Sequence, residues 1–392
     1  MSLLPPLRLT GAEILRDGVM QRRSLALEGG RITRGPLPEV DMTGFYLLPG
    51  IIDLHGDAFE RHITPRPSAS FDIVQGLASA DREAAANGVT TAFLAQGWSW
   101  EGGPRGPEAC EHLLAALDAL RPTQLTDLRV QIRAETHMVG SADRLIAAVE
   151  KHRVGYVVFN NHLAQAVEMQ ADRPGDFAVW AQKLGRSPEA HGRAVSAASA
   201  RAREVPRHLC RLAEAFDRLG VVYGSHDDPD GDTREHYSMI GARIAEFPTG
   251  RTAAAAAKAM NDPVLMGAPN VVRGGSQAGN IAATDLIEVG LCDALVSDYY
   301  YPALAQAAWA LVDRGLKTLP EAWAMISARP AEILRMPDRG RLDHGRRADV
   351  TVVNAETRAV EATICGGRLT WLAGEAGARF LAQPKAMRLA AE

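Results

Sequence analysis

The sequence predicts an α/β protein: a (β/α)8 barrel carrying a small β-sandwich built from both chain ends. Three observations predict it. Eight apolar, β-rich runs alternate with helical stretches through the middle of the chain. Short alternating runs broken at glycine occupy the two ends. No glycine-rich GxGxxG turn follows an early strand, which argues against an open doubly wound sheet.

The elements follow in order. Residues 7–49 contain "LRLTGAEIL", "SLALEGGRITRG" and "GFYLLPG", and residues 340–373 repeat that character. Chain termini often lie close together, so 1–49 and 340–392 are expected to form one small sandwich, with 50–339 as the barrel. The expected barrel strands are 50–57, 89–96, 127–136, 154–162, 220–228, 243–249, 263–270 and 294–300. Helical stretches such as "DREAAANG" (81–88), "RLIAAVEKH" (144–152) and "TAAAAAKAMN" (252–261) lie between them. The Ala/Arg-rich stretch 163–219 exceeds a minimal crossover and is expected to add helices or a lid.

Composition narrows the function classes. The 392 residues are 46% hydrophobic and 23% charged, ordinary for a globular protein with ample core. The net charge of −4 gives no bulk basic field for nucleic acid or an anionic membrane, so an anionic substrate must be held by local cations. Cys110, Cys210, Cys292 and Cys365 are scattered, with no CxxC pair. Neither a disulfide framework nor a zinc finger is indicated, and reduced thiols suit a cytoplasmic enzyme. No signal-peptide pattern and no apolar run long enough for a membrane span is present.

The expected strands end in polar residues: His55 and Asp57, Glu135, His162, His226 with Asp227 and Asp228, Asn270, and Asp298. In a barrel all C-terminal strand ends converge on one face, where active sites sit. Imidazoles and carboxylates gathered there can hold two divalent metals. Taken singly each has a plainer reading. A lone strand-end histidine is often just hydrogen-bonded, and Asp227-Asp228-Pro229-Asp230 can be a capped turn. The recurrence at strand after strand favours the metal site.

Local cations also cluster. "RHITPRP" offers Arg61, His62 and Arg66, and "GAPNVVRGGSQAGN" offers Arg273 beside Gly274, Gly275, Ser276 and Gly279. Small residues let backbone N–H groups approach phosphate oxygens, and an arginine fork can clamp phosphate. A flexible turn of small residues is the alternative for this segment. His137 and His236 are either substrate contacts or loop residues, and Trp98 and Trp100 either a pocket wall or core.

"LLPGIIDLHGD" followed by "NGVTT", with "ARPAEIL" and "DRGRLDHGRRADVTVVN" near the end, resembles the amidohydrolase superfamily. Within it, "TPRP", "RAET", "GSHDD", "IAEFPT", "VLMGAPNVVRGGSQAGN" and "SDYYYP" resemble the ribose 1-methylphosphonate 5-triphosphate diphosphatase family. The resemblance implies a bimetallic hydrolase with zinc as the first expectation and manganese, iron or nickel as alternatives. It implies metal binding by His55, Asp57, His162, His226 and Asp298, a bridging role for Glu135, and proton acceptance by Asp298. The partner it implies is a small phosphorylated ribose, held by Arg66, Asp227, Asn270, Arg273, Gly275 and Ser276. Copies of the same chain in a homo-oligomer are compatible with it. Two departures stand out. "NNHLAQAVE" replaces the family's Asp-His and Ser-Pro-Gly-Gln context around His162, and Gln277 stands where the family carries histidine. A rival reading keeps the metal scaffold but hydrolyses an amide, cyclic imide or amidine, which would not need the arginines to converge. A second rival is a non-catalytic barrel that has lost its metals.

Overall fold

A computed structural model describes residues 2–66 and 69–382; Pro67 of the "TPRP" stretch and the last ten residues of the expected sandwich, 383–392, lie outside the described residues. Eight parallel strands form one sheet in consecutive order: β1 (Ile51–Gly56), β2 (Val89–Trp98), β3 (Asp127–Glu135), β4 (Tyr156–Asn160), β5 (Val222–His226), β6 (Ala245–Glu246), β7 (Val264–Gly267) and β8 (Ala294–Val296). Each coincides with one of the apolar runs. The barrel all but closes where Gly56 bridges Asp298 in parallel fashion. Asp53 of β1 reinforces that seam: its buried carboxylate accepts from Ser297 N at 2.9 Å and Ser297 Oγ at 2.6 Å.

Strand alternation sorts the core. Tyr156 and Val158 pack with Phe93, Leu265, Ala294 and Val296 in the barrel interior, while Val157 and Phe159 face the helical layer. Helix Val205–Leu219 shows why that layer forms. It buries His208, Leu209, Leu212, Ala213 and Phe216 at helical spacing, and Phe216 stacks on Phe159 at 6.2 Å. Gly220, at φ 69°, ends it in a left-handed cap. Helices Leu163–Asp172, Pro174–Lys183 and Pro188–Ala200 precede it, so the long connection adds helices as expected.

Two further sheets use the chain ends, one the N-terminal segment alone and the other both ends. A four-stranded sheet comes from the N-terminal segment, in the order Arg31–Thr33, Leu25–Glu28, Leu7–Thr10, Glu39–Asp41. In a six-stranded sheet, Phe45–Pro49 pairs antiparallel with Val350–Asn354. Leu9, Ile14, Leu25, Leu47, Val350 and Ile364 share one apolar core. All four cysteines are free, and no helix of the described residues is long and apolar enough to cross a membrane.

Candidate active site

Two groups of ligand-type side chains lie at the C-terminal mouth of the barrel. The first joins His55 of β1, His226 of β5 and Glu246 of β6. His55 Nδ1 lies 2.9 Å from Glu246 Oε2. A carboxylate can only accept, so Nδ1 carries the proton and Nε2 is the free ring nitrogen. Glu246 is itself locked: Gln131 Nε2 donates to it at 2.6 Å and the Tyr156 hydroxyl at 2.5 Å. Phe247 packs its ring 5.0 Å from both imidazoles and holds them in place. Asp227 Oδ2 is 2.9 Å from His226 Nδ1 but outside hydrogen-bond geometry, so both ring nitrogens of His226 are buried without a hydrogen-bond partner. Burial pushes the His226 pKa down, favouring the neutral form that ligates metals. Orphaned buried nitrogens beside an oriented imidazole fit a borderline divalent ion.

The second group joins Glu101, Glu135 and His162. It is bonded within itself. His162 Nδ1 lies 3.0 Å from Glu101 Oε1 and 2.8 Å from Glu135 Oε1. Asn160 and Trp100 donate to Glu135 at 2.8 and 3.1 Å, and Trp180 and Arg105 donate to Glu101 at 3.1 and 3.2 Å. Burial opposes both charges, yet hydrogen bonds between the partners win. Glu101 falls to about 2 and His162 rises to about 9. The donor set suits a divalent ion, but an ion there must displace the proton that His162 holds.

The structure therefore divides the residues singled out in the sequence. His55 and His226 come together, with Asp298 beside them in one cleft of about 240 Å³. Glu135 and His162 sit in the other group. Asp57 is half-buried past the end of β1, where its N–H donates to Asp298 O at 2.7 Å. It does not join the His55 group, because the β1–β2 register shifts between Asp53 and Gly56 and simple alternation stops there. Asp227, Asn270, Arg273, Gly275 and Ser276 line the cleft. Arg66 is exposed and is not among its lining residues, while Arg61 pairs with Glu83 and His62 lies 2.6 Å from Glu83. Gln277 lines the cleft and accepts from Arg273 at 3.3 Å.

Asp298 lines the same cleft as His55 and His226. Burial pushes its carboxyl up to about 6, and the charge of Asp57 adds to the rise although His55 opposes it. Its backbone is left-handed at φ 55°, as are Asp227 at 59° and Phe247 at 50°. For a non-glycine residue this costs on the order of 1–2 kcal/mol. All three follow a barrel strand end at the mouth.

Glu246, Glu101 and Phe247 escape sequence reasoning about the site. Glu246 carried a signal: a single carboxylate in the sixth apolar run. Glu101, in "WSWEGG" beyond β2, carried none.

A parallel barrel with histidines and carboxylates at this mouth, and attached sheets drawn from the chain ends, is the fold of solved amidohydrolases. Solved structures of that fold align over nearly the whole chain. Molinate hydrolase matches with TM-score 0.65 and 14% identity, covering 94% of this chain and 95% of that one. A β-aspartyl dipeptidase from Fervidobacterium islandicum AW-1 matches with TM-score 0.63 and 13% identity, over 94% and 97%. No family model matches. Alpha-D-ribose 1-methylphosphonate 5-triphosphate diphosphatase of Escherichia coli is 31% identical over 367 residues, 88% of this chain and 94% of that protein. The chain belongs to that diphosphatase family.

Proposed function

We propose that this protein hydrolyses the phosphoanhydride of α-D-ribose 1-methylphosphonate 5-triphosphate, releasing pyrophosphate and a ribose phosphonate 5-phosphate. The observation that carries the reading is the single cleft in which Arg273 and the small-residue loop face His55, His226 and Asp298. An anion-binding wall thus stands opposite a set of ligand and base residues. The reading takes two divalent ions per chain, zinc first, with manganese, iron or nickel as alternatives. His55 and His226 hold one, with Asp298 adjacent; Glu101, Glu135 and His162 are the ligands for the other.

Bound there, a divalent ion supplies Lewis-acid polarisation and lowers the pKa of water. The remaining chemistry belongs to the side chains. Asp298 takes the proton of the attacking water as its oxygen joins phosphorus and the anhydride bond breaks. Arg273 holds the outer phosphates, and Asn270 orders the loop by accepting from Ala283 N at 3.0 Å. Gly275, with open space where a Cβ would stand, leaves room for a close approach of phosphate oxygens beside Ser276. Glu246 fixes the His55 ring through its Nδ1–H.

The experiment is metal analysis of the purified protein alongside pyrophosphate release from the ribose triphosphate and from common nucleoside triphosphates. About two metals per chain, with release lost in His55→Ala and Asp298→Asn, is the expected result. Metal without release from any triphosphate would point instead to amide, cyclic imide or amidine hydrolysis. Neither metal nor activity after reconstitution would sink the site.

A further inference from the structure

Arg133 stands near the end of β3 between the two ligand groups. Its side chain lines the cleft of His55, His226 and Asp298 and also the chamber of Glu101, Glu135 and His162. Its charge is felt by His55, His226 and His162, whose protonated forms it disfavours, and by Asp298 and Asp227, whose ionised forms it favours. Yet its Nε is buried without a hydrogen-bond partner, and among the described residues no ion pair includes it. Its neighbour Arg105 is paired with Glu101. A guanidinium keeps its charge in a protein, and a buried donor left unmade costs free energy. Asp298 and Asp227 feel its charge, yet neither bonds this N–H, which stays unsatisfied until another acceptor reaches it.

We propose that Arg133 is a catalytic residue that binds the phosphoryl oxygens flanking the scissile anhydride. The proposal rests on the phosphoanhydride reading and deepens it. Arg273 lies at the outer rim of the cleft, exposed and bonded to Gln277 and Tyr299, whereas Arg133 lies beside Asp298 and the metal-type ligands. The inner guanidinium therefore meets the two phosphoryl groups that share the scissile anhydride, one of which leaves within pyrophosphate, and the outer one meets the far end of the chain. A planar fork aimed at two oxygens of one phosphoryl group stabilises charge that grows in the transition state. A lysine in that place gives a point charge without the fork.

The test uses the purified holoenzyme and inorganic pyrophosphate as the probe, titrated by calorimetry, beside kinetics on the ribose triphosphate and metal analysis. Arg133→Gln is expected to weaken pyrophosphate binding about tenfold or more and to lower kcat/KM about 10²–10³-fold, with metal content unchanged. Arg133→Lys is expected to regain part of the binding and little of the rate, and added guanidinium to restore rate to Arg133→Ala. Wild-type pyrophosphate affinity in Arg133→Gln overturns the proposal. If Arg133→Gln loses its metal, Arg133→Lys decides: a wild-type rate in that variant overturns the proposal, since the fork would then be unnecessary. The two readings fail separately. A wild-type protein that releases no pyrophosphate, yet binds it through Arg133, sinks the diphosphatase reading and leaves Arg133 an anion-binding residue. A wild-type protein that turns over while Arg133→Gln binds pyrophosphate normally keeps that reading and removes Arg133.

Discussion

His55 Nδ1 and Glu246 Oε2, from the first and sixth strands of the barrel, lie 2.9 Å apart with both side chains fully buried. Because Gln131 and Tyr156 occupy the other carboxylate oxygen, Glu246 cannot turn away, and His55 presents one defined nitrogen to the cleft.

That geometry makes Glu246 an orienting residue. Glu246→Gln is expected to weaken metal retention about 10–100-fold, the usual cost of losing such a partner. Metal content after dialysis against a graded chelator series measures it. Retention equal to wild type would show that His55 needs no such support.

Asp298 accepts a proton only when ionised. Its pKa is raised by burial to about 6, so activity should be full above that value and fall as pH drops through about 6. Asp298→Asn should lower kcat about 10²–10⁴-fold and remove that acid limb from the remaining activity. A pH–rate profile of both proteins checks this; an unchanged acid limb in the variant would assign the ionisation to another group.

Arg273 is exposed and loosely tied, at 3.3 Å to both Gln277 and Tyr299. Arg273→Ala should raise KM for the triphosphate about tenfold with kcat nearly unchanged, the pattern of a contact made equally in ground and transition states. A fall in kcat of the same size would place Arg273 at the reacting phosphorus instead.

Asp127, at the opposite end of β3, ties the barrel to the returning chain. Its carboxylate accepts from Arg129 at 2.9 Å, Arg339 at 2.7 Å and Arg347 at 3.2 Å. Burial opposes its charge, but the arginines hold its pKa far below the ordinary carboxylate range. A depressed folded pKa means that this stabilisation is complete above the unfolded value, near 4, and is lost as pH falls below it. Asp127→Asn should cost about 2 kcal/mol at neutral pH, less than for a fully buried pair because the carboxylate is 21% exposed. Thermal melts at neutral and acid pH test it: the gap between the two proteins should narrow in acid, and a constant gap would rule out the ionic origin.

The sequence by itself determined the eight strands, their parallel arrangement in a barrel, and the gathering of histidines and carboxylates at one mouth. Each of those follows from short-range pattern. An apolar run of strand length must be buried, helices between such runs enforce parallel crossovers, and a closed parallel sheet sends every strand end to one face. The tertiary structure alone decided which ligands share a group. Glu246 meets His55 across 191 residues, and Glu101 meets His162 across 61. Neither pairing leaves a local periodic trace. Strand alternation placed His55 and Asp57 on one face, but the irregular pairing between Asp53 and Gly56 ends that rule at the point where the chemistry begins. Side-chain direction at a strand end is set by neighbouring strands and loops, so the partition of the mouth into two groups, with Arg133 between them, became visible only once the barrel was closed.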